Sequence, residues 1–150
     1  MFDLFIRGGI LVIPTLGLVK SDLGIESGKI RAILAPGSAS KARQVIEAEG
    51  LYVFPGVIEP HAHLGIGNGV EDYETETRSA ATGGVTTIMT FLRQPDDYMD
   101  TFWQLKEEAE KRAYIDFGFH AVLMAETHLR NLEQYRSKLG ITSFKFYLTY

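Results

Sequence analysis

The stretch Val53-Phe54-Pro55-Gly56-Val57-Ile58-Glu59-Pro60-His61-Ala62-His63 divides the chain into two kinds of sequence. It reads as a hydrophobic strand that ends in two histidines spaced i and i+2. Successive side chains on a strand point to opposite faces, so His61 and His63 share one face. Two imidazoles so placed can grip one metal ion. A bare His-x-His is also found as a pair of hydrogen-bonded loop histidines, but the apolar strand and Pro-Gly turn before this one favour the ligand reading. Neutral imidazole suits zinc and related divalent ions, and two histidines supply only part of a ligand set.

Downstream of this stretch, strands alternate with helices. Glycine-rich residues 65–69 lead into a helix over 72–82, stopped by Gly83-Gly84. Residues 85–91 are short and β-branched, a second strand. Pro95-Asp96-Asp97 opens a helix in which Met99, Phe102, Leu105, Ala109 and Ala113 follow helical spacing. Residues 115–124 form a third strand. Thr127 is expected to cap a helix carrying Leu129, Leu132 and Leu139, with Gly140 just past its end. Residues 141–150 form a fourth strand. Such alternation indicates parallel βαβ units. Four strands and three helices match the first half of a (β/α)8 TIM barrel, which needs about 250 residues to close. An open half barrel would leave two apolar strand edges unpaired, so a longer parent chain is expected rather than a small open sheet.

Upstream, residues 1–52 read as short strands broken by turns, an amino-terminal β layer in which no chemistry is visible. Leu4 to Arg7 leads into Gly8-Gly9, and Ile10 to Ile13 stops at Pro14. Ser27-Gly28-Lys29 is a hairpin turn between residues 23–26 and 30–34. Residues 39–49 hold too few apolar positions for a firm helix.

Composition excludes several classes of function. The 150 residues carry a formal charge of −4 with no basic block, which argues against nucleic acid or an anionic membrane as partner. There is no cysteine, so any metal must be held by nitrogen and oxygen. Asp3 and Arg7 interrupt the first apolar run, which therefore does not read as a signal peptide. No stretch approaches the roughly 18 apolar residues of a membrane helix. A cytoplasmic location is expected.

Active sites of parallel barrels form at the carboxyl ends of the strands. His61 and His63 end the first barrel strand; Lys145 lies near the end of the fourth, in Phe144-Lys145-Phe146-Tyr147. A lysine among aromatics is costly to keep charged, and desolvation favours a neutral, nucleophilic amine that can add carbon dioxide to become a carbamate ligand. The alternative is a lysine whose head snorkels to solvent, and the strand pattern alone favours it. Tyr150 would face away from Lys145 in a regular strand, and reaches the same site only if the chain bends there. A phenol in that place can donate to a developing oxyanion. His120, mid-strand, reads as a hydrogen-bonded core histidine, and His128, in a first helical turn, as solvated. Glu71, Asp72, Glu74 and Glu76 complement a helix dipole. Gly65-Ile66-Gly67 lacks the spacing of a phosphate loop.

Taken together and in order, these segments resemble the hydantoinases and dihydropyrimidinases of the amidohydrolase superfamily. The resemblance runs through residues 3–9, Glu26 to Ile30, residues 52–64, Phe91-Leu92-Arg93-Gln94, residues 115–120 and Gly140 to Lys145. It implies a small β-sandwich portion, residues 1–52, followed by the first four β/α units of a metal-dependent hydrolase barrel, residues 53–150. It implies two divalent metal ions, zinc foremost, with His61 and His63 on the more buried one. Lys145, carboxylated by carbon dioxide, would bridge both; here the resemblance outweighs the solvent-directed lysine that the strand pattern favours. Tyr150 falls on the family's catalytic tyrosine, helping to hold the oxyanion while the metals act as Lewis acids on the ring amide carbonyl. The substrate would be a small cyclic diamide, and the assembly a homotetramer.

The chain departs from the family pattern at three places. Glu59 stands where an aspartate is usual, which puts the support of the metal strand in question. Thr90 replaces an aspartate common before the Phe-x-x-Gln segment. Leu64-Gly65-Ile66 occupies the place of the arginine that dihydroorotases carry, which argues against that activity. The family's two further histidine ligands and general-base aspartate are not in these 150 residues, so the isolated chain is expected to be inactive. Two other readings remain: an allantoinase-like amidohydrolase, and a non-catalytic dihydropyrimidinase-related scaffold.

Overall fold

The structure, a computed structural model, describes residues 1–148. The chain divides into two compact units, Met1–Pro55 and a second that begins at Gly56.

The first unit is a five-stranded sheet. Strands β1 (Phe2–Ile13), β2 (Gly17–Glu26) and β3 (Lys29–Leu34) form an antiparallel meander. β4 (Ala42–Glu47) and β5 (Tyr52–Val53) pair in parallel with successive parts of β1. Gly8-Gly9 does not break β1, as the short-strand reading expects. The pair is absorbed as a bulge between Ile6 and Gly9, and Gly8 takes φ 73°. The Gly8 amide donates to Asp22 Oδ1 at 2.7 Å, and Ser38 N donates to Asp22 Oδ2 at 2.9 Å, which satisfies a carboxylate with no exposure. At the β2–β3 hairpin Ser27 and Gly28 both have positive φ, 53° and 70°, as a two-residue turn matched to strand twist requires. Residues 42–47 are a strand because the parallel edge of β1 was open to them.

The second unit is a four-stranded parallel sheet in the order β6-β7-β8-β9, with helices in its crossovers. Its strands are β6 (Val57–Ala62), β7 (Val85–Leu92), β8 (Asp116–Leu123) and β9 (Phe144–Phe146). The apolar run 52–58 is therefore not one strand: Phe54-Pro55-Gly56 splits it between the two sheets. Gly56 is required there, since a Cβ would stand 2.1 Å from Thr86 Oγ1. Helix α1 (Asp72–Thr82) ends at Gly83-Gly84. Helix α2 (Tyr98–Glu110) is capped by Asp97, whose carboxylate accepts from Met99 N at 3.0 Å. The third crossover differs from expectation. Thr127 is not a cap: α3 (Glu126–Arg130) starts after Ala125 without a side-chain cap, Asn131 interrupts it, and α4 (Leu132–Gln134) runs into a π-helical turn, Tyr135–Leu139. Gly140 then ends the segment at φ 72°. The fourth strand is three residues long, not ten. Among the described residues no helix is long and apolar enough to cross a membrane.

The two faces of this sheet differ. On β7, Ile88, Thr90 and Leu92 are buried, whereas Met89 and Phe91 on the opposite face are half-exposed. Tyr73, Ile88, Leu92, Phe102 and Phe119 belong to one core cluster, and Phe102 meets Phe119 edge-on at 5.4 Å. Tyr98 pins the carboxyl ends of β7 and β8. Its hydroxyl lies 2.9 Å from Leu92 O and 2.7 Å from Val122 O. The other face carries His61, His63, Phe91, His120 and Lys145.

Candidate metal centre

The alternation of β6 places both imidazoles on the open face, where His61 Nε2 and His63 Nε2 stand 3.2 Å apart. Two zinc–nitrogen bonds of about 2.0–2.1 Å meeting near the tetrahedral angle would put their nitrogens about 3.3 Å apart. The pair thus fits the donor geometry of one divalent ion, and both rings are exposed to receive it.

The backbone around the pair is held on both sides. The Glu59 carboxylate accepts from His61 N at 2.9 Å, so the longer acid does support the strand, through the peptide rather than the ring. Thr90, wholly buried, accepts from Leu64 N at 2.8 Å; its hydroxyl lies 3.2 Å from Ala62 O and 3.3 Å from Leu64 O. Its Oγ therefore brackets the residue between them, His63. This hydroxyl does what a carboxylate could not, because it can donate as well as accept.

Phe91 is the common wall of the site. Its ring centre lies 4.7 Å from that of His61, 5.6 Å from that of His63 and 4.9 Å from that of His120. Lys145 Nζ stands 4.5 Å from the same ring centre and 4.9 Å from that of Tyr147. Lys145 is half-buried, with its ammonium over aromatic faces rather than in open solvent. The structure thus brings His61, His63 and Lys145 around one phenylalanine. Tyr150, the fourth residue expected here, lies outside the described residues. Among those described, no group of three or more His, Asp or Glu side chains is disposed to hold a metal.

Several features were not anticipated from sequence. Phe91 carries no local signal of a site residue, although strand alternation places it on the face opposite Ile88 and Leu92. His120 is hydrogen-bonded, to Ser143 Oγ and, at 3.1 Å, to Pro60 O, but it is half-exposed on the sheet's open face rather than in the core. His128 is not solvated. It has no exposure, accepts from Met124 N at 3.1 Å through Nδ1, and reaches Asp96 O at 2.9 Å through Nε2. Its ring stacks on Tyr98, so it belongs to the core under the β8–α3 turn. Asp72 shapes the loop after the histidine pair. Burial opposes its charge, but hydrogen bonds from the Asn68 side chain and from the backbone of Asn68, Gly65 and Gly67 outweigh it and hold the carboxyl below its usual range.

Beside these strand ends lies a cavity of about 490 Å³ lined by Arg93, Leu123, Met124, Leu129, Phe146 and Tyr147. Its walls are mostly apolar, with the guanidinium of Arg93 and the carboxylate of Glu126, and a small ring would fit its volume.

No family model matches the chain. D-hydantoinase of Geobacillus stearothermophilus is 37% identical over 97% of this chain and 32% of its own length. D-phenylhydantoinase of Escherichia coli is 36% identical over 97% of this chain and 33% of its own. Among solved structures, D-hydantoinase from Bacillus sp. AR9 superposes with a TM-score of 0.83 at 35% identity, covering 98% of this chain and 33% of that one. L-hydantoinase (dihydropyrimidinase) from Arthrobacter aurescens does so with a TM-score of 0.81 at 28% identity, covering 96% and 32%. The chain spans about a third of the length of the relatives it matches. In sequence and in its curled parallel half-barrel sheet, the chain belongs to the hydantoinase/dihydropyrimidinase group of the amidohydrolase family.

Proposed function

We propose that these residues are the amino-terminal part of a cyclic amidase that opens a hydantoin or dihydropyrimidine ring by hydrolysis at a binuclear metal centre. The convergence of His61 and His63 Nε2 at 3.2 Å, on the face that also carries Lys145, supports this most directly. Residues 1–52 would belong to a β-sandwich portion and residues 53–150 to the first four β/α units of a closed (β/α)8 barrel. His61 and His63 would hold the first divalent ion, zinc foremost, and Lys145 as its carbamate would bridge to the second. What the bound metals supply is Lewis acidity toward an amide carbonyl and water activated near neutral pH. This chain's own residues orient and enclose. Glu59 and Thr90 fix the histidine backbone, Phe91 closes the floor against water, and Tyr150 would donate to the oxyanion. The assembly would be a homotetramer, as the family resemblance implies, and its place the cytoplasm.

The test uses the 150-residue chain and the longer protein containing it, each offered hydantoin, dihydrouracil and allantoin. The longer protein should open hydantoin or dihydrouracil and carry about two ions per subunit. The 150-residue chain alone should open neither ring. Preference for allantoin would move the assignment to an allantoinase-like enzyme, and a metal-free, inactive longer protein would make it a scaffold.

A further inference from the structure

We propose that His120 is a positioning residue that sets the spacing between the histidine pair and Lys145; this rests on the metal reading above. The face around Phe91 carries three histidines, and hydrogen bonding sorts them. Pro60 O can only accept, so His120 Nε2 must carry the proton that it donates there at 3.1 Å. In the neutral ring Nδ1 is then bare and accepts from the hydroxyl of Ser143. Both ring nitrogens are used, which leaves His120 no lone pair for a metal. His61 and His63 differ, since among the described residues their ring-nitrogen partners are each other's Nε2 atoms.

The two bonds of His120 reach the two halves of the site. Pro60 lies on β6 and His120 on β8, with β7 between them. Strands in a flat sheet are about 4.8 Å apart, so this bond spans a gap of about 10 Å and holds the sheet's inward curl. The carbonyl it binds belongs to the peptide joining Pro60 to His61. The N–H of that same peptide donates to Glu59 Oε1 at 2.9 Å. That peptide plane is therefore held at both ends, by His120 on its oxygen and Glu59 on its nitrogen. The other bond fixes Ser143, two residues before Lys145 and on the same side of the chain. His120 thus ties the peptide that aims His61 to the segment that aims Lys145, across the width of the sheet.

The experiment compares zinc binding, by competition with a chromophoric chelator, in the longer protein that contains these residues and in its variants. His120→Phe keeps a ring against Phe91 and loses both hydrogen bonds; zinc affinity should fall by about tenfold or more. His120→Gln, whose amide can still donate to Pro60 O, should recover part of the loss, and Ser143→Ala should lose less than His120→Phe. If His120→Phe does not fold by circular dichroism, the Gln and Ala variants carry the comparison. Parent-like affinity in the folded variants overturns the proposal. Absence of zinc binding in the parent would overturn the metal reading instead. The strut is then judged without metal, by amide hydrogen exchange at His61 and Lys145. Faster exchange there in His120→Phe, with β7 unchanged, supports the strut, and equal rates overturn it.

Discussion

His61 Nε2 and His63 Nε2 face each other at 3.2 Å across the open end of β6, and Phe91 backs both rings. The separation is that of two donors on one ion, so neither imidazole can be lost without losing the chelate. His61→Ala and His63→Ala should each weaken zinc binding by at least about tenfold, the lower end of what loss of a supporting group costs. The double variant should be little worse than either single one, because a lone surface imidazole has no chelate left to lose. Additive losses in a chelator-competition titration would mean that the two rings bind separately.

Thr90 makes a second, metal-independent claim. Its hydroxyl is the acceptor for the Leu64 amide at 2.8 Å, in a place with no exposure. Thr90→Val keeps the shape and leaves that N–H unpaired, at a cost of about 1–3 kcal/mol. Thr90→Ser should keep the bond and most of the stability. Urea unfolding at unchanged m-value measures both, and a valine variant as stable as the parent would remove Thr90 from the supports of the site.

Tyr98 concerns the frame around the site. Its hydroxyl serves Leu92 O and Val122 O, the carboxyl ends of two neighbouring strands, and burial pushes its pKa up to about 12. Tyr98→Phe removes the one proton that these two buried carbonyls share and should cost about 1–3 kcal/mol. Because β7 carries Phe91 and β8 carries His120, zinc affinity should fall with it. A phenylalanine variant that unfolds at the parent's urea midpoint would disprove the pinning role.

Local signals located much of this fold. Gly83-Gly84 and Asp97 bound α1 and α2 where short-range chemistry puts them, and the period of two already set His61 and His63 on one face. The failures share a cause. The apolar run 52–58 looks continuous, but only tertiary pairing decides that Tyr52 joins β1 while Val57 joins β7. Residues 42–47 carry weak local preference, and a free parallel edge made them a strand. His128 sits in a helical first turn in either reading. Its burial depends on Met124 N and Asp96 O, and the latter is 32 residues away. At the site, ligand candidates were legible because imidazole spacing is local. The supports, His120 to Pro60 and Thr90 to Leu64, were not, because each joins strands far apart in sequence.

Asp97 links the cap of α2 to the broken third crossover, and its protonation should be visible in stability. Burial opposes its charge. Against that, Met99 N, the Tyr135 hydroxyl and the Asn131 amide all donate to its carboxylate, with His128 nearby, and together they hold it below the usual carboxylate range. A carboxyl whose folded pKa lies below its unfolded value of about 3.9 contributes stability that is present above that pH. The contribution is lost as pH falls through the lower, folded pKa. Asp72 acts in the same direction. Urea midpoints measured from about pH 6 to pH 2 should therefore stay level down to about pH 4 and then drop. In Asp97→Asn, which has no proton to gain there, the midpoint should start lower, since an amide replaces one acceptor oxygen with a donor, and the acid drop should be shallower. If the variant instead follows the parent's slope below pH 4, the acid sensitivity lies with other carboxylates, and the Asp97 network is held by packing rather than by charge.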